Sequence, residues 1–345
     1  MKKCISVITV LVLVLTMFAA CQAVPIKEEN TTEKTTEAAA KATVNLATLQ
    51  GPTGMGMAYL LDDADSGKTL NDYEYTVCAS PDEITGKIVS GGLDIAALPT
   101  NAAATLYNKS NGKIKLLALN TECVLYILEK GDSIKSIADL NGKTIYVSGQ
   151  GSTPEYILNY VLEENGLEIG KDVKLDFTYA THNDLVAFAA TGKADVVLLP
   201  EPAVTGLLAK NKDMRVALDI NDVWEDTVDE TEFADSEIAM GCVVVNTAFL
   251  EKNPEAVKNF LKEYEASIEK IEDEERLDES AKVIAKVGIV AAEGVAKNAL
   301  PRCNITFETG AEMKSQIEGF YKVLFDANPS SVGGKMPDEN LYYAG

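Results

Sequence analysis

Apolar and polar positions follow a repeating order along most of this chain: a short apolar run, a turn rich in glycine, proline, serine or threonine, then a stretch of helical periodicity. Val44 to Leu49 is such a run; it ends at Gln50-Gly51-Pro52-Thr53-Gly54 and precedes a helical pattern from Met55 to Asp62. The unit returns as a strand from Asp94 to Leu98, a turn at Pro99-Thr100-Asn101 and an alanine-rich helix over 102–108. Lys113 to Leu119 reads as a strand ending at Asn120-Thr121, Cys123 to Leu128 as another, and Ser133 to Leu140 as a short helix. Lys143 to Val147 leads through the turn 148–154 into an amphipathic helix over 154–165, which Gly166 stops. A strand from Val173 to Tyr179, a helix over 183–190 and a strand from Asp195 to Leu199 complete a further cycle. This alternation predicts an α/β protein with mainly parallel sheets. After a strand from Cys242 to Val245 the pattern turns helical. Pro254 opens a helix with Val257, Phe260, Leu261, Tyr264 and Ile268 on one face, and two more span 282–297 and 311–325.

Length and charge narrow the function. At about 150 residues per domain, 345 residues suggest two domains. Fifty-three acids against 31 bases give a net charge of −22, which repels phosphate backbones and argues against nucleic-acid binding. One histidine, His182, leaves no paired-histidine metal site and no serine-histidine-aspartate constellation. No cofactor motif is present either: the chain lacks a P-loop and a nucleophile elbow, and its acidic run over 221–237 lacks the EF-hand spacing.

The N-terminus carries an address. Lys2 and Lys3, an apolar run from Ile5 to Leu15 and small residues before Cys21 predict a secretory signal over residues 1–20. Phe18-Ala19-Ala20-Cys21 resembles a lipoprotein signal, in which the cysteine is acylated; the usual leucine is replaced by Phe18. Residues 21–43 are polar, rich in threonine and glutamate, and read as the lipidated cysteine with a flexible tether. Cys78, Cys123, Cys242 and Cys303 sit among apolar neighbours and read as buried thiols, with disulfides the alternative.

In α/β sheets, ligands sit beyond the carboxyl ends of strands. The turns fall there. Backbone N–H groups at a helix start are unpaired donors, so Gly51-Pro52-Thr53-Gly54 and Gly149-Gln150-Gly151-Ser152-Thr153 suit polar ligand groups, with Met55, Thr100, Asn101 and Asn120 at neighbouring ends. Caps and turn formers are the plain alternative for Thr53, Ser152 and Thr153. Glu201, between Pro200 and Pro202 at a strand end, is a carboxylate suited to an amine, an aminopyrimidine or a hydroxyl, or else a solvated turn acid. Only Arg215, Arg276 and Arg302 exist, none in these loops, which disfavours bidentate capture of a sulfonate. His182 reads as an exposed helix-start residue beside the capping pair Thr181 and Asp184.

Taken in order, Gly51 and Gly54, the segment Ile88–Ala96, the segment Ser133–Ile145, the loop 148–154, Thr191–Val196 with Pro200-Glu201-Pro202, and Phe249–Val257 resemble the extracytoplasmic substrate-binding proteins of ABC importers, in the nitrate, taurine, sulfonate and thiamine-pyrimidine group. The resemblance covers residues 44–325. It implies a periplasmic-binding-protein-like fold of type II, with two α/β lobes joined by crossovers near Lys130 and Gly241: residues 44–130 plus 242–345, and residues 131–241. It implies a monomeric, non-enzymatic protein that closes on a small molecule and hands it to a membrane permease, anchored on the outer face of the membrane through lipid alone. Trp224 either stacks on ligand from a lip near the second crossover or anchors a solvated acidic loop. The thiamine-pyrimidine synthases of similar fold carry clustered cysteines and histidines that this chain lacks. The expected ligand is a neutral or amine-bearing molecule such as a nitrogenous heterocycle; a sulfonate or oxyanion, or a sensor role without transport, are the alternatives.

Overall fold

The computed structural model describes residues 41–228 and 234–345. The signal segment and Cys21 lie outside the described residues. The chain forms β1 (Thr43–Leu49), the short turn of helix α1 (Pro52–Met55), α2 (Ala58–Asp65), β2 (Asp72–Cys78), α3 (Asp82–Ser90), β3 (Ile95–Pro99), α4 (Thr100–Ser110) and β4 (Ile114–Thr121). There follow β5 (Leu125–Lys130), β6 (Thr144–Val147), α5 (Thr153–Glu164), β7 (Lys174–Asp176), α6 (His182–Ala190), β8 (Val196–Pro200), α7 (Ala203–Lys210), β9 (Met214–Asp219) and α8 (Ile220–Val228). The C-terminal part comprises β10 (Gly241–Asn246), α9 (Thr247–Lys252), α10 (Pro254–Glu272), α11 (Leu277–Lys286), α12 (Glu293–Ala299), β11 (Ile305–Glu308) and α13 (Gly310–Ala327). Among the described residues no helix is long and apolar enough to cross a membrane.

These elements build two sheets with helices between and around them. The first has the order β11-β4-β10-β3-β1-β2, the second β7-β6-β8-β5-β9. The α/β class is as expected, but the sheets are mixed rather than mainly parallel. In the first, β1 runs parallel to β2 and β3, whereas β10 runs antiparallel to β3 and β4. In the second, β6 is parallel to β7 and β8, and β5 is antiparallel to β8 and β9. Connectivity is the reason: β5 and β10 are the strands by which the chain enters one sheet from the other, so each starts at the end where its neighbours finish.

This topology moves one boundary. β5 belongs to the second sheet, so the first crossover is at 122–124 and not near Lys130. The second ends at Gly241, where β10 begins. A Cβ on Gly241 would lie 2.6 Å from Asn120 Oδ1, so glycine lets β10 start flush against the end of β4.

Local patterns explain most helices. α10 carries Pro254 in its first turn and buries Val257, Phe260, Tyr264 and Ile268, as its periodicity predicts. α5 ends before Gly166, whose φ of +74° an L residue resists. The helix expected over 282–297 is instead the pair α11 and α12, interrupted at Gly288 with φ +81°. The strand expected from Val173 to Tyr179 pairs only over Lys174–Asp176, and β2, β9 and β11 went unforeseen. The four cysteines of the body are buried and free.

Candidate functional site

The loops at the carboxyl ends of β1, β3, β4, β6, β8 and β9 are where α/β sheets hold their ligands. In the first of them Gly51, at φ +85°, caps α1, and Gly54 N donates to Gly51 O at 3.0 Å. A Cβ on Gly54 would stand 1.9 Å from Leu49 O, closer than any side chain tolerates. Gly54→Ala therefore forces the loop away from β1; it is expected to cost about 1–3 kcal/mol, read as a lower thermal midpoint. Pro52 and Thr53 are half-buried, while Met55 is fully buried and is a core residue rather than a lining one.

Asn120 braces this loop from the end of β4. Its Nδ2 donates to Thr53 O at 3.1 Å and to Tyr264 OH at 2.9 Å, and its Oδ1 accepts from Thr121 Oγ1 at 3.0 Å. Thr100 is fully buried at the start of α4, its carbonyl accepting from Tyr321 OH at 2.9 Å, and Asn101 beside it is half-buried. In the second lobe Gly151, at φ +74°, is exposed, with its N–H donated to the Glu155 carboxylate. Ser152 Oγ donates to Gly149 O, and Ser152 and Thr153 are half-buried at the start of α5.

Two expected ligand contacts are committed elsewhere. Glu201 does not stand free on its turn. Its carboxylate is fully buried, lies 2.6 Å from Arg302 Nε, and accepts from Thr205 N and Thr205 Oγ1 at 3.1 Å each. Burial raises its pKa, and Arg302 and Thr205 offset part of that rise. Trp224 is 0% exposed in α8, donates Nε1–H to Ser236 O at 2.7 Å, and packs against Tyr160 and Phe320. It is a core residue, not a ligand platform, and the acidic run begins as a helix rather than a loop; residues 229–233 of that run lie outside the described residues. His182 is exposed at the first position of α6, as expected, with Nδ1 2.6 Å from Ser148 Oγ, and the surrounding protein lowers its pKa.

Carboxylates at the crossovers are what the sequence reading missed. Glu122 lies in the first crossover, and its pKa is raised to about 7 by burial and then by Glu237, Glu308, Glu225 and Glu272. Glu237, in the second crossover, is raised to about 7 by burial and by Glu225. Asp219, at the end of β9, is raised by burial. The available signal was the pairing of Glu122, beside Asn120, with the acid-rich approach to β10. No lysine lies in the strand-end segments 50–56, 99–104, 119–125, 147–155, 199–205, 219–225 or 234–241. All three arginines are paired: Arg302 with Glu201, Arg215 with Glu129 and Asp132, and Arg276 with Asp273 and Glu279.

Two mixed sheets joined by two crossovers, with glycine-rich loops at strand ends in each, are the architecture of a solute-binding protein of the periplasmic type. Residues 66–298 match the family model described as the phosphonate periplasmic substrate-binding protein of an ABC transporter, and the chain belongs to that family. Its members bind small molecules for ABC permeases and are not enzymes. The fold is similar to that of an ABC transporter protein from Parabacteroides distasonis, at 25% identity and TM-score 0.72 over 88% of this chain and 99% of that one. It is also similar to the periplasmic aliphatic sulphonate-binding protein SsuA from Escherichia coli, at 16% identity and TM-score 0.64 over 88% and 92%. The periplasmic nitrate-binding protein NrtA from Synechocystis shares it at 17% identity and TM-score 0.50 over 75% and 69%. No curated protein matches the chain.

Proposed function

We propose that the protein captures a neutral or amine-bearing small molecule, such as a nitrogenous heterocycle, outside the cell and delivers it to an ABC permease. In this reading it works as a monomer held to the membrane by acylated Cys21. The observation that carries the ligand class is electrostatic: the strand-end loops supply carboxylates and no uncommitted base. Capture of an oxyanion normally draws on a guanidinium that can offer two parallel hydrogen bonds, and Arg302 already spends its own on Glu201 and Thr205.

A second reading has its own support. The family takes its name from phosphonate transport, and the solved relatives include sulphonate- and nitrate-binding proteins. The start of α5 also offers backbone N–H donors to an anion. A thermal-shift panel of amines, pyrimidines, other heterocycles, amino acids, alkyl sulfonates and alkyl phosphonates separates the two. A ligand at 100 times its dissociation constant adds about 2.7 kcal/mol of stability. Shifts confined to amines and heterocycles are expected; a selective shift with a sulfonate or phosphonate would overturn the ligand class and leave solute capture intact.

A further inference from the structure

A cleft of about 250 Å³ opens where α7, in the second lobe, meets α12 and the turn Leu300–Arg302; Thr205, Leu208, Ala209, Lys212, Asn298 and Arg302 line it. The two segments that form it are unlike the rest of the chain. In a protein with 53 acids and a net charge of −22, neither 202–212 nor 294–302 contains an acid, and together they carry Lys210, Lys212, Lys297 and Arg302. Glu201, just outside the first segment, is buried in its pair with Arg302, and Lys297 is paired with Asp278. Lys212 pairs with no carboxylate among the described residues; its ammonium donates to Leu208 O, a carbonyl of α7, at 2.9 Å. At physiological salt the field of remote charges is screened beyond about 8 Å, so the local cations set the potential in the cleft.

Arg302 is fixed in place without being used up. A guanidinium has five N–H donors. Nε donates to Glu201 Oε1 at 2.6 Å, and Nη2 donates to Thr205 Oγ1 at 2.8 Å and to Asn298 O at 2.9 Å, which accounts for three of them. The two N–H groups of Nη1 have no partner among the described residues. Both edges by which a guanidinium grips an anion through parallel bonds include Nη2, and its hydrogens are spent. What remains is one nitrogen on a side chain already oriented by its other bonds. An anion there needs a second cation, and Lys212 lines the same cleft from the facing segment.

We propose that this cleft is a second binding site, for a small oxyanion such as inorganic phosphate, held between Arg302 Nη1 and the Lys212 ammonium. None of its lining residues is among the solute contacts considered above, and the site does not depend on the class of solute. An anion bonded to both cations ties α7 to the turn after α12, the same segments that Arg302 already joins through Glu201 and Thr205. Its effect is to steady the contact between the lobes.

Thermal unfolding of the full chain in rising inorganic phosphate, against chloride of equal ionic strength at neutral pH, tests this for the wild type, Lys212→Gln and Lys210→Gln. Lys210→Gln removes the same charge two positions away, from a side chain that does not line the cleft. Both lysines are exposed, so unchanged midpoints in chloride verify folding. Phosphate is expected to raise the midpoint saturably in the wild type and in Lys210→Gln, and to need a concentration about tenfold higher in Lys212→Gln. No rise beyond that in chloride would overturn the site. So would a rise that never saturates and is shared by all three proteins, which is the general effect of an excluded salt. A saturable rise equal in all three would place the anion elsewhere, and equal weakening by the two substitutions would assign the effect to the charge of the face rather than to the cleft; either result removes the site and leaves solute capture untouched.

Discussion

Replacing Arg302 with alanine is expected to destabilise the protein by about 3–5 kcal/mol, because it strands a fully buried carboxylate. Glu201 would keep only the Thr205 N–H and hydroxyl as partners. The loss is unequal between the two sides of the pair. The Arg302 side chain is 29% exposed and the Glu201 side chain 0%, so an arginine left alone reaches water while a glutamate left alone does not. Glu201→Gln, which keeps the shape and removes the charge, is accordingly expected to cost less than Arg302→Ala. A double replacement of both by methionine is expected to recover most of the loss, since a buried pair exchanged for apolar residues of similar volume is often neutral. Thermal or urea unfolding of the three variants beside the wild type reads this out. Equal losses for Arg302→Ala and Glu201→Gln would refute the assignment of the cost to the buried carboxylate. The same pair disqualifies Glu201→Ala as a probe of ligand contact, for that change alters the contact between α12 and α7 before any solute arrives.

That pair also marks how far the sequence could be read. The period of Val257, Phe260, Tyr264 and Ile268 names a helix and its buried face, because helical spacing is a local property. Nothing local says that Tyr264 OH holds Asn120, or that Glu201 meets a guanidinium 101 positions later. Strand direction is equally silent: an apolar run such as Gly241–Asn246 has the same pattern whichever way its neighbours run, and so the antiparallel β5 and β10 were hidden. Trp224 was legible and misread. Ile220, Trp224 and Val228 recur at helical spacing within the acidic run, which is the signature of a helix with one buried face, and all three are buried. Gly54 and Gly151 stand in loops of the same pattern for different reasons: a Cβ on Gly54 would meet Leu49 O, whereas nothing stands within 4 Å of a Cβ on Gly151, whose glycine answers to a positive φ. The crossover carboxylates escaped because their character comes first from burial, and for Glu122 next from Glu237, more than a hundred positions later, neither of which a local pattern shows.

Those carboxylates make the protein's stability fall as pH rises from about 5 to 8. A buried acid whose folded pKa lies above its unfolded value binds more protons when folded, so its contribution is fully present below the unfolded pKa and is lost as pH climbs through the folded one. For Glu122 and Glu237 that window runs from 4.5 to about 7. Carrying Glu122 ionised to pH 8 costs on the order of 3 kcal/mol, and Glu237, more open to solvent, adds less because water screens it. Glu272, Glu308 and Asp219 are raised as well and act in the same direction. His182 opposes them: its lowered pKa makes the fold lose stability as pH falls below 6.5. The acids Asp139, Asp176 and Asp338, whose pKa values are lowered, act only in a more acidic window. Between pH 5 and 8 the carboxylates outnumber the one histidine, and the thermal midpoint is expected to drop by roughly 5–10 °C. Glu122→Gln should flatten that decline and raise the midpoint at pH 8 while leaving it nearly unchanged at pH 5. A midpoint that rises steadily from pH 5 to 8, or a Glu122→Gln variant whose profile parallels the wild type, would show that Glu122 ionises without penalty, and that burial among the acids of the two crossovers does not hold its carboxyl protonated.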